Sequence, residues 1–130
     1  MATHTLRKRE RLCSMKLTDR LFNGAGSRSM AAFPVRVVWM EKEREEHESP
    51  VQILVSVSKR HFKRAVKRNR VKRQLREAYR LSKQPLYDKL EQTPQRAVVM
   101  AFIWLSDELY SSTAVANCMK TLIQRLTEKL

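Results

Sequence analysis

Between Arg68 and Arg80 the chain sets out Arg68, Asn69, Arg70, Lys72, Arg73, Arg76 and Arg80, and Lys59, Arg60, Lys63 and Arg64 stand just ahead of them. Guanidinium and ammonium groups in such density break no bonds by themselves. They bind phosphates, and each phosphate neutralised releases condensed counterions, which makes binding fall steeply with salt. The 22 residues from Lys59 to Arg80 hold 11 Lys or Arg against one acid, Glu77, and so supply +10 of the net charge of +14. The alternative is an ordinary solvated helix face, but such a face mixes signs, and unpaired like charges at i,i+4 cost about 0.3 kcal/mol each. A polyanion offsets that repulsion. No second helix stands at helix-turn-helix spacing, so RNA is favoured over the DNA major groove.

Other chemistry finds little support. His4, His47 and His61 have no Cys, Ser or acid at triad-like positions, and His61, inside the basic stretch, reads as a phosphate contact. Cys13 and Cys118 are far apart and lack ligand-spaced neighbours, so neither a disulfide framework nor a zinc site is expected and a reducing, cytoplasmic setting fits. Glu41, Glu43, Glu45, Glu46 and Glu48 read as a solvated charge run rather than an acid–base pair. Two glycines leave no phosphate-binding loop, and no repeat is evident. The longest apolar run, Ala97 to Leu105, is nine residues, well under the roughly 20 of a membrane-spanning helix. Ser56 and Ser58 lie on the polar side of an alternating segment. Phe22, Phe33 and Trp39 are the aromatics near enough in sequence to stack bases beside it, although each taken singly reads first as core.

The elements that must position these residues follow from periodicity. Residues 1–10 are polar and basic and read as a mobile arm, leaving 11–130 as a single domain. Ser14 to Phe22 has helical spacing, ended by Asn23, Gly24, Ala25 and Gly26. Phe33 to Met40 reads as a strand, and Glu41 to Pro50 as a hairpin connection to a second strand, Val51 to Ser58. Lys59 to Lys67 reads as a loop. In Arg68 to Leu81, Val71, Leu75, Ala78 and Tyr79 share an arc of about 100°, and Asn69, Lys72, Arg73, Arg76 and Arg80 share another. Pro85 and Pro94 bracket a polar stretch. Ala97 to Leu105 is a central strand, and Ser111 or Ser112 caps a last helix whose face is Val115, Cys118, Met119, Leu122, Ile123, Leu126 and Leu130. The sum is an α+β two-layer sandwich, a small mixed sheet with helices on one side.

The run Ser56-Val57-Ser58-Lys59-Arg60, followed by Ala65-Val66-Lys67-Arg68-Asn69-Arg70-Val71-Lys72-Arg73-Gln74-Leu75-Arg76-Glu77-Ala78-Tyr79-Arg80, resembles the protein subunit of bacterial ribonuclease P. Arg11-Leu12, Phe22 ten residues later, the glycine-containing turn and the strand at Phe33 extend the resemblance over most of the chain. It implies the fold of the second domain of ribosomal protein S5, with a left-handed β-α-β crossover that departs from the usual hand. It implies a noncatalytic protein that helps a catalytic RNA remove the 5′ leader of precursor tRNA, with Mg2+ used by the holoenzyme and none held tightly by the protein. Implied partners are the catalytic RNA and precursor tRNA, without a membrane or a required protein partner. Lys59, Arg60, Lys63, Arg64, Arg68, Asn69, Arg70, Lys72, Arg73, Arg76 and Arg80 would face the catalytic RNA. Arg11, Phe22, Phe33, Arg36, Ser56 and Ser58 would face the leader. The chain departs from the family pattern at Thr18 and Arg36, where aromatics are common. It departs again at His61-Phe62-Lys63-Arg64, a loop one residue longer than usual and without glycine. A structural ribosomal or ribosome-assembly protein is the competing reading of the same composition; an autonomous ribonuclease is a third.

Overall fold

The computed structural model describes residues 15–23, 26–46 and 48–130. Its elements are α1 (Met15–Asn23), β1 (Arg28–Ala32), β2 (Val35–Glu43), β3 (Val51–Ser56), α2 (Ala65–Ser82), α3 (Gln84–Leu90), β4 (Arg96–Trp104) and α4 (Ser112–Lys129). The arm at residues 1–10, with Arg11 and Cys13, lies outside the described residues, as does His47.

The four strands form one sheet in the order β1-β2-β4-β3. β1 and β2 are antiparallel, β2 and β4 are antiparallel, and β3 runs parallel to β4. The architecture is α+β. β4 takes the central position that its uninterrupted apolar sequence requires, since a strand covered on both faces cannot alternate with polar residues. Alternation assigns the faces. Val35, Val37 and Trp39 of β2, Val51, Ile53 and Val55 of β3, and Val98, Met100, Phe102 and Trp104 of β4 point to the larger core, where α2 and α4 close over them. Val71, Leu75, Ala78 and Tyr79 form the buried stripe of α2, matching the arc expected from spacing. α4 buries Val115, Cys118, Met119, Leu122, Ile123 and Leu126. Ser111 caps α4, its hydroxyl accepting the Ala114 amide at 3.1 Å. Gln74 of α2 donates to the Tyr110 carbonyl and the Ser112 hydroxyl at 3.0 and 3.2 Å, tying the middle of α2 to the start of α4. Cys118 donates to the Ala32 carbonyl at 2.6 Å, and burial pushes its thiol pKa up.

Six expectations are corrected. The helices do not all lie on one side: α1 covers the other face, where Leu21 packs into a second cluster with Val38, Met40, Val99 and Ala101. Glu41 to Pro50 is not a hairpin connection, because β4 sits between β2 and β3. The hairpin is β1–β2, with Phe33 and a cis Pro34 in its turn rather than in a strand. The glutamate run is not wholly solvated, since Glu48 pairs with Lys42 and both side chains are largely buried. α2 begins at Ala65, three residues before the expected start, because an exposed first turn needs no apolar stripe. The stretch between Pro85 and Pro94 contains α3, with Pro85 in its first turn and only Leu86 and Leu90 buried.

Candidate nucleic-acid interface

The larger cationic surface is built on α2 and the loop that enters it. Because Val71, Leu75, Ala78 and Tyr79 anchor one side of the helix, Asn69, Arg70 and Arg73 are left exposed and Lys72, Arg76 and Arg80 half-exposed. Lys59, Arg60, Lys63 and Arg64 are exposed on the loop. Phe62 plugs that loop into the core. The Ser58 carbonyl accepts the His61 and Phe62 amides, and the Ser58 hydroxyl accepts the Arg60 amide at 3.1 Å. Arg68 completes the loop from the helix side, its guanidinium donating to the Phe62 and Lys63 carbonyls, each at 2.8 Å. Its first structural duty is therefore to hold the neighbouring cations in position, a role that sequence spacing did not indicate.

Two further expectations change here. Glu77 and Arg80 form an i,i+3 ion pair, so the stripe is not wholly without an acidic partner. Hydrogen bonding from Arg80 holds the Glu77 carboxyl below the usual range. His61 is not simply open to a phosphate: its Nδ1 lies 2.6 Å from Asp107 Oδ1, linking the loop to the segment after β4.

On the opposite face of the sheet lies a groove of about 330 Å³, formed where α1 stops short of covering the strands. Leu21 and Phe22 of α1 make one side, and Ser29, Arg36, Val38 and Ile103 make the floor and far wall. Strand register explains the opening. One row across the face is Ser29, Val38, Ala101 and Leu54, and the next is Ala31, Arg36, Ile103 and Ser56. Leu21 packs on the first of these rows and leaves the second largely open, with Ile103 only partly buried and Ala31 and Arg36 exposed. Arg36 is exposed there, and its Nη2 donates to Ser29 Oγ at 3.3 Å. Ser27 ends α1 by bonding to the carbonyls of Arg20 and Leu21, which fixes the helix beside the groove.

The structure therefore brings Phe22 and Arg36 together, with Ser56 farther along the same row. Ser58 is past the end of β3 and belongs to the cationic loop instead. Phe33 is 67% exposed at the hairpin turn, and Phe22 is 44% exposed, so neither is core. Trp39 is the reverse, 3% exposed on the α2 and α4 side, and is removed from the stacking candidates. Ser29 and Ile103 were missed. Ile103 carried a signal, since alternation in β4 puts it on the face opposite Phe102, but Ser29 needed the unrecognised strand β1. Among the described residues no three His, Cys, Asp or Glu side chains are grouped to hold a metal ion, and no helix is long and apolar enough to cross a membrane.

Comparison with known proteins bears on the whole arrangement. The family model for Ribonuclease P matches residues 6–127. A curated ribonuclease P protein component from Porphyromonas gingivalis is 41% identical over 126 residues, covering 96% of this chain and 88% of that one. Its counterpart from a second strain is 40% identical over 124 residues, covering 95% and 88%. Two structures of the Staphylococcus aureus RNase P protein superpose with a TM-score of 0.62 at 18% identity, covering 90% of this chain and 94% of that chain in one case and 95% and 93% in the other, which supports the fold.

Proposed function

The chain belongs to the ribonuclease P protein family, and we propose that it acts as the noncatalytic partner of a catalytic RNA in removing the 5′ leader of precursor tRNA. The observation that carries this reading is the continuous cationic surface of α2 and its entering loop, held on a defined backbone by Phe62 and Arg68. In this proposal Lys59, Arg60, Lys63, Arg64, Asn69, Arg70, Lys72, Arg73 and Arg76 lie against catalytic RNA. Arg68 positions the loop, and Arg80 contributes through its exchange between Glu77 and phosphate. The groove of Phe22 and Arg36 takes the single-stranded leader, with Ser56 extending its floor.

The work of the protein is then electrostatic and positional. Neutralised phosphates reduce the repulsion between the RNA subunit and its substrate, which lowers the Mg2+ concentration needed for assembly. The Mg2+ ions of the reaction belong to the same proposal, in which the RNA holds them and the protein holds none tightly. A cytoplasmic location and independence from other protein partners belong to the same proposal.

The test is cleavage of a precursor tRNA at low Mg2+ by the protein alone, by the ribonuclease P RNA of the encoding organism alone, and by the two together. Cleavage at the mature 5′ end only in the mixture supports the proposal. Cleavage by the protein alone moves the chemistry into the polypeptide. A mixture no better than the RNA refutes the assisting role.

A further inference from the structure

The groove beside α1 has an unusual mixture for a surface that would take single-stranded RNA: one partly exposed aromatic and two exposed arginines, Arg28 and Arg36, in an otherwise aliphatic and hydroxyl lining. We infer that Arg36 forms a phosphate clamp there, so that this chain grips the leader at a backbone phosphate rather than by stacking successive bases. The inference rests on the assignment of the groove to the leader.

Three observations lead to it. First, alternation along β2 sends Arg36 out of the same face as Val38 and Met40. Leu21 covers those two neighbours but not Arg36, which leaves the guanidinium at the mouth of the groove. Second, its Nη2 is oriented by Ser29 Oγ at 3.3 Å. One N–H of the five is thus used to fix the plane of the fork, and the others can meet two oxygens of one phosphate. Third, none of the groove residues is a carboxylate, and Arg36 has no ion pair among the described residues. Arg28 also lines the groove and adds to its positive charge, but it stands opposite Trp39 rather than in the row of Arg36 and Ile103, so the clamp is assigned to Arg36.

Phe22 then has a separate part. It stands on the α1 wall, 44% exposed, where one base adjacent to the clamped phosphate can stack. Phosphate capture carries no base information, whereas a stack on one ring is tolerant of all four bases. The expected leader preference is therefore weak.

The experiment uses the holoenzyme reconstituted with the ribonuclease P RNA of the encoding organism and measures binding of precursor and mature tRNA across a salt series. For Arg36→Gln the precursor affinity is expected to fall about tenfold, with mature tRNA unchanged and the logarithmic salt slope for precursor reduced by about 0.7. A precursor carrying neutral methylphosphonate linkages through its leader should erase the difference between the wild type and Arg36→Gln. Arg36→Lys, which keeps charge and loses the fork, should fall between them. If Arg36→Gln weakens precursor binding with no change in salt slope, or if the loss depends on the identity of one leader base, the clamp is overturned in favour of stacking or base readout. If Arg36→Gln has no effect while Phe22→Ala still lowers precursor binding, the clamp fails and the leader assignment stands. If neither variant alters the ratio of precursor to mature affinity, the leader assignment itself fails.

Discussion

The α2 surface and the α1 groove lie on opposite faces of one sheet, and they are made in different ways. The α2 surface is dense and redundant: ten cations from Lys59 to Arg76 are backed by a helix and a pinned loop. The groove has Arg36 at its mouth, Arg28 beside it, one exposed ring and a floor defined by strand register. The first can lose a member and still attract an anion. The second depends on each part being in place, which suits discrimination between ligands better than overall attraction.

The largest expected effect attacks the redundant surface at its centre. Arg70→Ala with Arg73→Ala, both exposed positions, should weaken binding to the catalytic RNA about a hundredfold. The salt slope should shrink by nearly two, with thermal unfolding unchanged. A loss confined to precursor tRNA would reverse the roles given to the two regions. Next comes Arg68. Replacement by Lys keeps the charge, but a flexible ammonium does not reproduce the fixed position from which Nη1 donates to both the Phe62 and Lys63 carbonyls. Catalytic-RNA affinity should fall about tenfold with little change in salt slope, and the melting temperature should drop by about 4 °C if about 1 kcal/mol is lost. An Arg68→Lys variant with wild-type affinity would make Arg68 a plain charge.

Smaller effects sharpen the other side. Phe22→Ala should reduce the affinity for precursor about fivefold, as loss of one stacked base predicts, and leave mature tRNA untouched in the same binding assay. Equal losses for both would detach Phe22 from the leader. Smallest is Glu77→Gln, which releases Arg80 from its ion pair. Binding to the catalytic RNA at neutral pH should tighten less than threefold. Because the Glu77 carboxyl is held below its ordinary value, the pair contributes above the unfolded carboxylate range and is lost only as pH falls through the lowered value. The gain from Glu77→Gln should accordingly shrink below about pH 4, the unperturbed carboxylate range.

The same contrast governs what the sequence made legible. Charge density and a 3.6-residue apolar stripe are local properties, so the α2 surface, its Val71–Leu75–Ala78–Tyr79 anchor and the central place of β4 could be read directly. The groove is made by neighbours far apart in sequence. Its floor joins Arg36 to Ile103 across 67 positions, and its near edge is β1, whose residues Arg28 to Ala32 are half polar and mostly exposed and so lack the strand pattern. Phe22 is legible as one of three candidate stacking aromatics and Arg36 only through family resemblance; their shared groove, the side of the sheet occupied by α1, and the clamp of Arg68 on two carbonyls required the tertiary structure. Local spacing can show that a side chain is available, but not which backbone groups will meet it.

The insertion of β4 between β2 and β3 also sets an order of assembly. The β1–β2 hairpin can pair as soon as it is made, whereas β3 has no strand neighbour until residues 96–104 exist. The buried stripe of α2 faces the same unfinished core. On the ribosome, the most cationic part of the chain therefore emerges before the strand that completes the sheet beneath it. A nascent chain stopped before β4 would carry the charge for RNA without the scaffold that gives that charge a shape.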